Sequence, residues 1–334
     1  MTDELTTENH VPNTSSGWSD LTIQVAVMLS LLAVMIVTTS FVDPNFLTPG
    51  SLRSVLRDTA IWSLFALGQA VVIIAGGIDL SVGSMICFLG VVATMLLNSP
   101  AVNSLMLMLF SVIALAAAVG AIHGILVCFA RLQPFLVTLC SLLIFRGLAR
   151  VITNDKTVSY SSEHELFETL GSGAWLGIPI PVFILIAALC PLAVFMHWTI
   201  PGRYLYAIGF NVDAARFSGV RVNLLRTVSY ILCAIMTALA ALLEASHVVS
   251  VTPSNAGLAY EMYGITGAVL GGCALRGGRG SLLGVVIGMA ILRVIKSAVI
   301  FLGINTYWTF TVTGIVLLTA VLIDSLVRHQ RRSS

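Results

Sequence analysis

The stretch GGIDLSVGS, Gly76 to Ser84, interrupts a long apolar run with a carboxylate at Asp79 and hydroxyls at Ser81 and Ser84. Gly76 and Gly77 are suited to break a helix, and an aspartate just before the next helix can accept hydrogen bonds from its first free N–H groups. The same groups, set at a broken helix within a membrane, can present acceptors and donors to a polar solute. Asp79 is therefore expected to cap a helix beginning at Leu80, to shape a polar path together with Ser81, or to do both. Glu244 and Glu261 flank a second polar stretch, TPSNAG (Thr252 to Gly257), which contains Asn255. Acids cost free energy in lipid, so each must face a cavity or a partner, or snorkel to the surface. His123 and Arg146 are read chiefly as helix-pairing residues, with a path-lining role as the alternative.

Catalysis is not expected. HELFE, His164 to Glu168, departs from the zinc signature H-E-x-x-H at its fifth position, where Glu168 stands in place of the second histidine ligand. There is no G-x-S-x-G elbow and no G-x-x-x-x-G-K-[ST] phosphate loop, so the chain is not expected to hydrolyse ATP. The six cysteines lie in apolar runs without C-x-x-C spacing, which favours packing over metal or redox roles. No metal or cofactor is expected on this chain.

The elements that must position these residues follow from composition. Of 334 residues, 57% are hydrophobic and 10% charged, too few charges to cover a soluble surface. A polytopic α-helical membrane protein satisfies that composition, because each spanning helix pairs its own backbone groups. The net charge of +2 and the lack of a basic block give no reason to expect nucleic acid as a partner. Spans of about 20 apolar residues are expected near Leu21 to Val42, Thr59 to Ala75, Leu80 to Leu97, Ser104 to Ala130, Pro134 to Thr153, Pro179 to Trp198, Arg226 to Val248, Leu258 to Cys273, Ser281 to Phe301 and Tyr307 to Val327.

Ten spans put both termini on one side. With those ends cytoplasmic, the inside loops hold ten Arg residues and the outside loops three basic residues, Arg53, Arg57 and Lys156. The positive-inside rule then favours N-in, C-in, although counting the basic residues near the outer span ends narrows the margin. The layout is a polar cytoplasmic tail over 1–20, a single transmembrane domain over 21–327, and a basic cytoplasmic tail over 328–334. The first tail has no Lys or Arg, so a cleaved signal peptide is not expected. An offset of five spans would make the two halves inverted repeats, an expectation from counting alone.

Nine glycines fall between Gly264 and Gly288, where Gly267/Gly271 and Gly284/Gly288 each have G-x-x-x-G spacing. Such spacing lets helix backbones approach closely. RGGRG, Arg276 to Gly280, is expected to be a tight cytoplasmic turn. The largest cytoplasmic loop, 201–226, contains a short amphipathic segment from Asp213 to Val220 with a small-residue face of Ala214, Ala215 and Ser218. It is either a docking surface for a soluble partner or an ordinary positive-inside loop.

Four stretches in order, ALGQAVVIIAGGIDLSVGSM (Ala66 to Met85), LQPFLVTLCSLLIFRGLA (Leu132 to Ala149), YAIGFNVDAARFSGVRV (Tyr206 to Val222) and SNAGLAYEMYGITGAVLGGCALRGGRGSLLGVVIG (Ser254 to Gly288), resemble the permease subunits of bacterial ribose-type monosaccharide ABC importers. The resemblance runs over nearly the whole chain. It implies a multi-pass inner-membrane subunit that pairs with a second permease subunit, identical or not, in a dimeric pore. It also implies a periplasmic sugar-binding protein and a cytoplasmic ABC ATPase, which uses the ATP. Carried over by motif, Asn211, Ala214, Ala215, Arg216, Ser218 and Gly219 fall in the loop that docks on the ATPase. Gly76, Gly77, Asp79, Ser81, Asn255 and Glu261 would belong to the translocation path or its helix ends. The chain departs from the pattern at Tyr263, where an acid is expected two places after Glu261. The alternative reading is an ion-coupled secondary transporter using Asp79, Glu244 and Glu261.

Overall fold

The computed structural model describes residues 16–100, 104–161 and 164–303, with 305, 307–312, 314–315, 318–319 and 322 beyond them. The fold is all-α. Among the described residues up to Gly303, twelve α-helices run in chain order: α1 Ser16–Val42, α2 Pro49–Ile74, α3 Val82–Leu97, α4 Leu105–Cys128, α5 Pro134–Thr153, α6 Glu165–Ser172, α7 Ile180–Trp198, α8 Ile200–Phe210, α9 Val212–Phe217, α10 Val222–Val248, α11 Tyr260–Leu270 and α12 Leu282–Phe301. Among the described residues, seven helices are long and apolar enough to cross a membrane, and α3 is a shorter apolar helix. Nine of the ten expected spans coincide with helices. Ten of the 21 residues of the tenth, with residues 1–15 of the first tail and all of the second, lie outside the described residues.

Helix starts follow local chemistry more closely than hydropathy. Thr48 accepts from the N–H of Ser51 and Pro49 takes the first turn, so α2 begins ten residues before the expected Thr59. Its first turns carry Arg53, Arg57 and Asp58, which an apolar ruler trims away. Within 201–226 the loop is instead mostly helix: α8 opens with Thr199 accepting from Gly202 N–H, and Asn211 ends α8 and caps α9. The short helix spans Val212–Phe217 rather than Asp213 to Val220, because Gly219 turns the chain with φ +79°.

Two helices form the centre. Ala60 to Ile74 of α2 is buried without interruption, so this helix is enclosed by protein on every side. Helix α10 packs most extensively on α4 and on α2, while α2 also packs on α12 and α11 and α10 on α3. Exchanging each span for the one five places on turns the α10–α4 contact into α2–α12 and the α10–α3 contact into α2–α11. The packing therefore has the pairing that inverted repeats require. Small residues set these approaches: a Cβ on Gly68 would lie 2.9 Å from the backbone of Cys233, and one on Gly120 2.6 Å from the carbonyl of Tyr230. The two G-x-x-x-G pairs meet each other, Gly271 against Gly284 and Gly267 against Gly288, locking α11 to α12.

Candidate functional site

Polar groups gather at two chain breaks that enter the helical body from opposite ends. At the first, α2 ends at Ile74 and Gly76 takes φ +76°. Asp79, only 2% exposed, accepts from the N–H of Ser81 at 2.9 Å and from its hydroxyl at 2.6 Å. This corrects the expected cap: α3 begins at Val82 with Ser81 at the cap position, and no side chain caps it. The aspartate closes a turn two residues earlier instead, because its short side chain reaches the N–H two places on. His123 of α4 brings Nδ1 to 3.7 Å from the Asp79 carboxylate, while its Nε2 is 2.8 Å from the Ser141 hydroxyl of α5. The histidine thus pairs helices, as expected, and also holds the break.

At the second break, α10 ends at Val248 and a short strand, Ser250–Val251, pairs antiparallel with Val158–Ser159. From there the chain descends along α3. Val251 packs against Gly90, and Gly257 and the Glu261 carboxylate pack against Gly83, seven residues nearer the other end. At 1.5 Å per residue the descent is about 10 Å. Glu261 therefore lies two residues along from Ser81 rather than at the external surface. Irregular backbone at such depth needs internal partners. Arg146 of α5 supplies them, its Nη1 donating to the carbonyls of Pro253 at 2.8 Å and Ala256 at 2.6 Å, and the Cys87 thiol reaches Pro253 O at 3.5 Å. Helix α11, with 11 residues, is about 16 Å long and covers only part of a bilayer.

A cavity of about 260 Å³ opens beside this loop, lined in part by Glu244, Tyr260, Asn255, Thr252 and Ile86. The Tyr260 hydroxyl donates to Glu244 Oε1 at 2.9 Å. Behind Tyr260 stands an aromatic group in which Trp62 lies 4.8 Å from Tyr260 and 4.9 Å from Tyr263. The departure at Tyr263 therefore exchanges a carboxylate for a ring packed into this group. Arg293 lies 4.4 Å from the Trp62 ring and pairs with Asp58. Sequence reasoning assigned no partner to Arg293, because its partner is 235 residues away and no local pattern announces the pair.

The end of the molecule assigned to the cytoplasm joins the first break to α8 and α9. A Cβ on Gly277 would lie 2.9 Å from Gly76 Cα and 3.0 Å from Gly209 Cα. Gly278 N–H donates to Ile74 O at 2.9 Å and Arg226 Nη2 to Gly76 O at 3.1 Å. Three chain segments meet here through bare backbone, and only glycine allows it. On α9 and the turn after it, Ala215 is buried whereas Asp213, Ala214, Arg216, Phe217, Ser218 and Gly219 are exposed. Phe217 is 92% exposed, an aromatic ring with no packing of its own. Asn211 has a local task too, accepting from Ala214 N–H at 2.9 Å. His164 to Glu168, the imperfect zinc signature, forms the start of α6, and no metal-competent group of three or more His, Cys, Asp or Glu occurs among the described residues.

Known proteins match most of this chain in sequence. Residues 51–321 match the family model described as the branched-chain amino acid transport system / permease component. The ribose import permease protein RbsC of Escherichia coli K12 is 37% identical over 89% of this chain and 92% of its own length. RbsC of Bacillus subtilis 168 is 36% identical over 88% of this chain and 90% of its own. The L-arabinose ABC transporter permease protein AraH of Azospirillum brasilense is 31% identical over 92% and 89%. No solved structure matches. A helical, multi-pass chain with two broken spans, matched over this length, belongs to the branched-chain amino acid transport system / permease component family of the bacterial inner membrane.

Proposed function

We propose that this chain is the membrane-spanning subunit of an ATP-driven importer of a monosaccharide, and that it works with a separate ABC ATPase, a periplasmic binding protein and a second permease subunit. Relatives named for ribose, arabinose and galactose or methyl galactoside import support the sugar class. The observation that carries the coupling is the glycine junction. Helix α9, with its exposed face, is continuous through Asn211 with α8, and α8 ends at Gly209 and Phe210 against Gly76, Gly277 and Gly278. A push on Ala214, Arg216, Ser218 and Gly219 by the ATPase is passed as backbone displacement to the Gly76-Gly77 break, and from there to Asp79, Ser81 and the foot of α3. Tightly packed elements transmit such motion because they switch between arrangements rather than deform. The second break, with Asn255 and Glu261, lies at the same foot of α3, so both ends of the path respond together.

The chain contributes no ATP site and binds no cofactor on this reading; nucleotide chemistry belongs to the partner. The test is co-purification of the cognate ATPase with this chain, followed by ATP hydrolysis in nanodiscs. Stimulation by a sugar-loaded binding protein supports the proposal. Failure of any ABC ATPase to associate contradicts it.

A further inference from the structure

Resting on that reading, we infer that the permease subunit itself holds one sugar, in the cavity bounded by α10, α3 and the descending loop 252–259. Its volume, about 260 Å³, corresponds to eight or nine waters at about 30 Å³ each, and it lies just below the range of about 300–1,000 Å³ typical of larger ligands. One sugar ring fits that volume. The polar side of the cavity offers a carboxylate at Glu244, a phenol at Tyr260, an amide at Asn255 and a hydroxyl at Thr252. The remaining walls include Ile86, Val248 and Val251, which suit the C–H face of a ring.

The charge pattern selects among solutes. Glu244 disfavours an anion, and it is the one carboxylate among the lining residues. A bare cation would lack the several anionic ligands that replace its hydration. A neutral polyol meets every group present, because vicinal hydroxyls donate to a carboxylate and accept from an amide. Asn255 is exposed and its side chain makes no hydrogen bond among the described residues, so it is available to a ligand. The loop that carries it is held by Arg146 from behind, which makes the site preformed. Discrimination between sugars is then shared between the binding protein and the permease.

The test uses the full permease–ATPase complex in nanodiscs without binding protein, and equilibrium dialysis with tritiated D-ribose, L-arabinose and D-galactose. Saturable binding of one of these is expected. Glu244→Gln, which keeps an acceptor for Tyr260, and Asn255→Leu, at an exposed position, should each weaken it by about tenfold or more, while Asp155→Asn at the surface leaves it unchanged. The same preparations, supplied with binding protein and ATP in proteoliposomes, report import. A wild-type complex that imports sugar yet shows no saturable binding, or binding indifferent to both substitutions, overturns the pocket and leaves the importer reading standing. A complex that imports none of the sugars overturns the importer reading, and the pocket with it.

Discussion

Replacing Arg146 by Met removes the two hydrogen bonds that hold the descending loop while keeping most of the side-chain stem. Both bonds come from one nitrogen, Nη1, to the carbonyls of Pro253 and Ala256 at 2.8 and 2.6 Å. A hydrogen bond to a charged group contributes about 1.5–3 kcal/mol. The two share a donor atom and the freed carbonyls border a cavity, so the expected loss is about 2–3 kcal/mol rather than twice the single value. At about 1.4 kcal/mol per tenfold, local opening of the loop rises by about 30- to 150-fold. Hydrogen–deuterium exchange followed by mass spectrometry reads this directly. Peptides covering 252–261 should exchange faster by that factor, while α2 and the buried part of α10 keep their protection. Arg146→Lys, with a point charge in place of a fork, should fall between. Unchanged exchange in 252–261 would refute the reasoning, since it would mean that other contacts hold the loop at depth. A global loss of protection would refute it too, because the structure gives Arg146 a local task.

Three further perturbations have defined outcomes. Asp58→Asn leaves Arg293 buried without its anion and should destabilise the chain in detergent by about 3–5 kcal/mol, whereas adding Arg293→Met should recover much of the loss; thermal melts of the single and double variants decide this, and a double variant no better than the single speaks against the pair. Gly284→Leu drives a side chain into the backbone of Gly271 and should cost about 3 kcal/mol or more through overpacking, seen as a lower Tm; a Tm equal to that of the unsubstituted chain would show that α11 and α12 separate freely. Gly219→Trp, at an exposed φ of +79° with nothing within 4 Å of its Cβ position, should leave membrane insertion intact and abolish capture of the ATPase in a pull-down; full retention of capture removes α9 from the docking surface.

The periodic and compositional features were legible before any coordinates. Nine helices lie where apolar runs of membrane length predict them, and Gly267/Gly271 with Gly284/Gly288 do pack backbone on backbone. The short helix near Asp213 to Val220 was legible from its residues and is found at Val212–Phe217, yet α8 was not, since IPGRYLYAIGF lacks the length of a span and sits beside arginines. Depth was the larger omission. Hydropathy treats TPSNAGLA as a surface loop because it is polar and rich in turn residues, and nothing in it reports that a cation on α5 carries its carbonyls into the protein. The Asp58–Arg293 pair and the meeting of Gly76, Gly209 and Gly277 are likewise long-range. Each residue has an ordinary local reading, and only the folded chain supplies its partner.

Sign and source of the driving energy separate the importer from the ion-coupled alternative, so uptake is the most direct measurement. Proteoliposomes holding this chain with its cognate ATPase, with ATP inside, the binding protein outside and no ion gradient, are given radiolabelled ribose, arabinose or galactose. The account predicts accumulation of one sugar that stops when either ATP or the binding protein is withheld. Accumulation that proceeds without ATP and disappears when a proton or sodium gradient is dissipated would contradict it, and would return Asp79, Glu244 and Glu261 to the centre as ion-carrying groups.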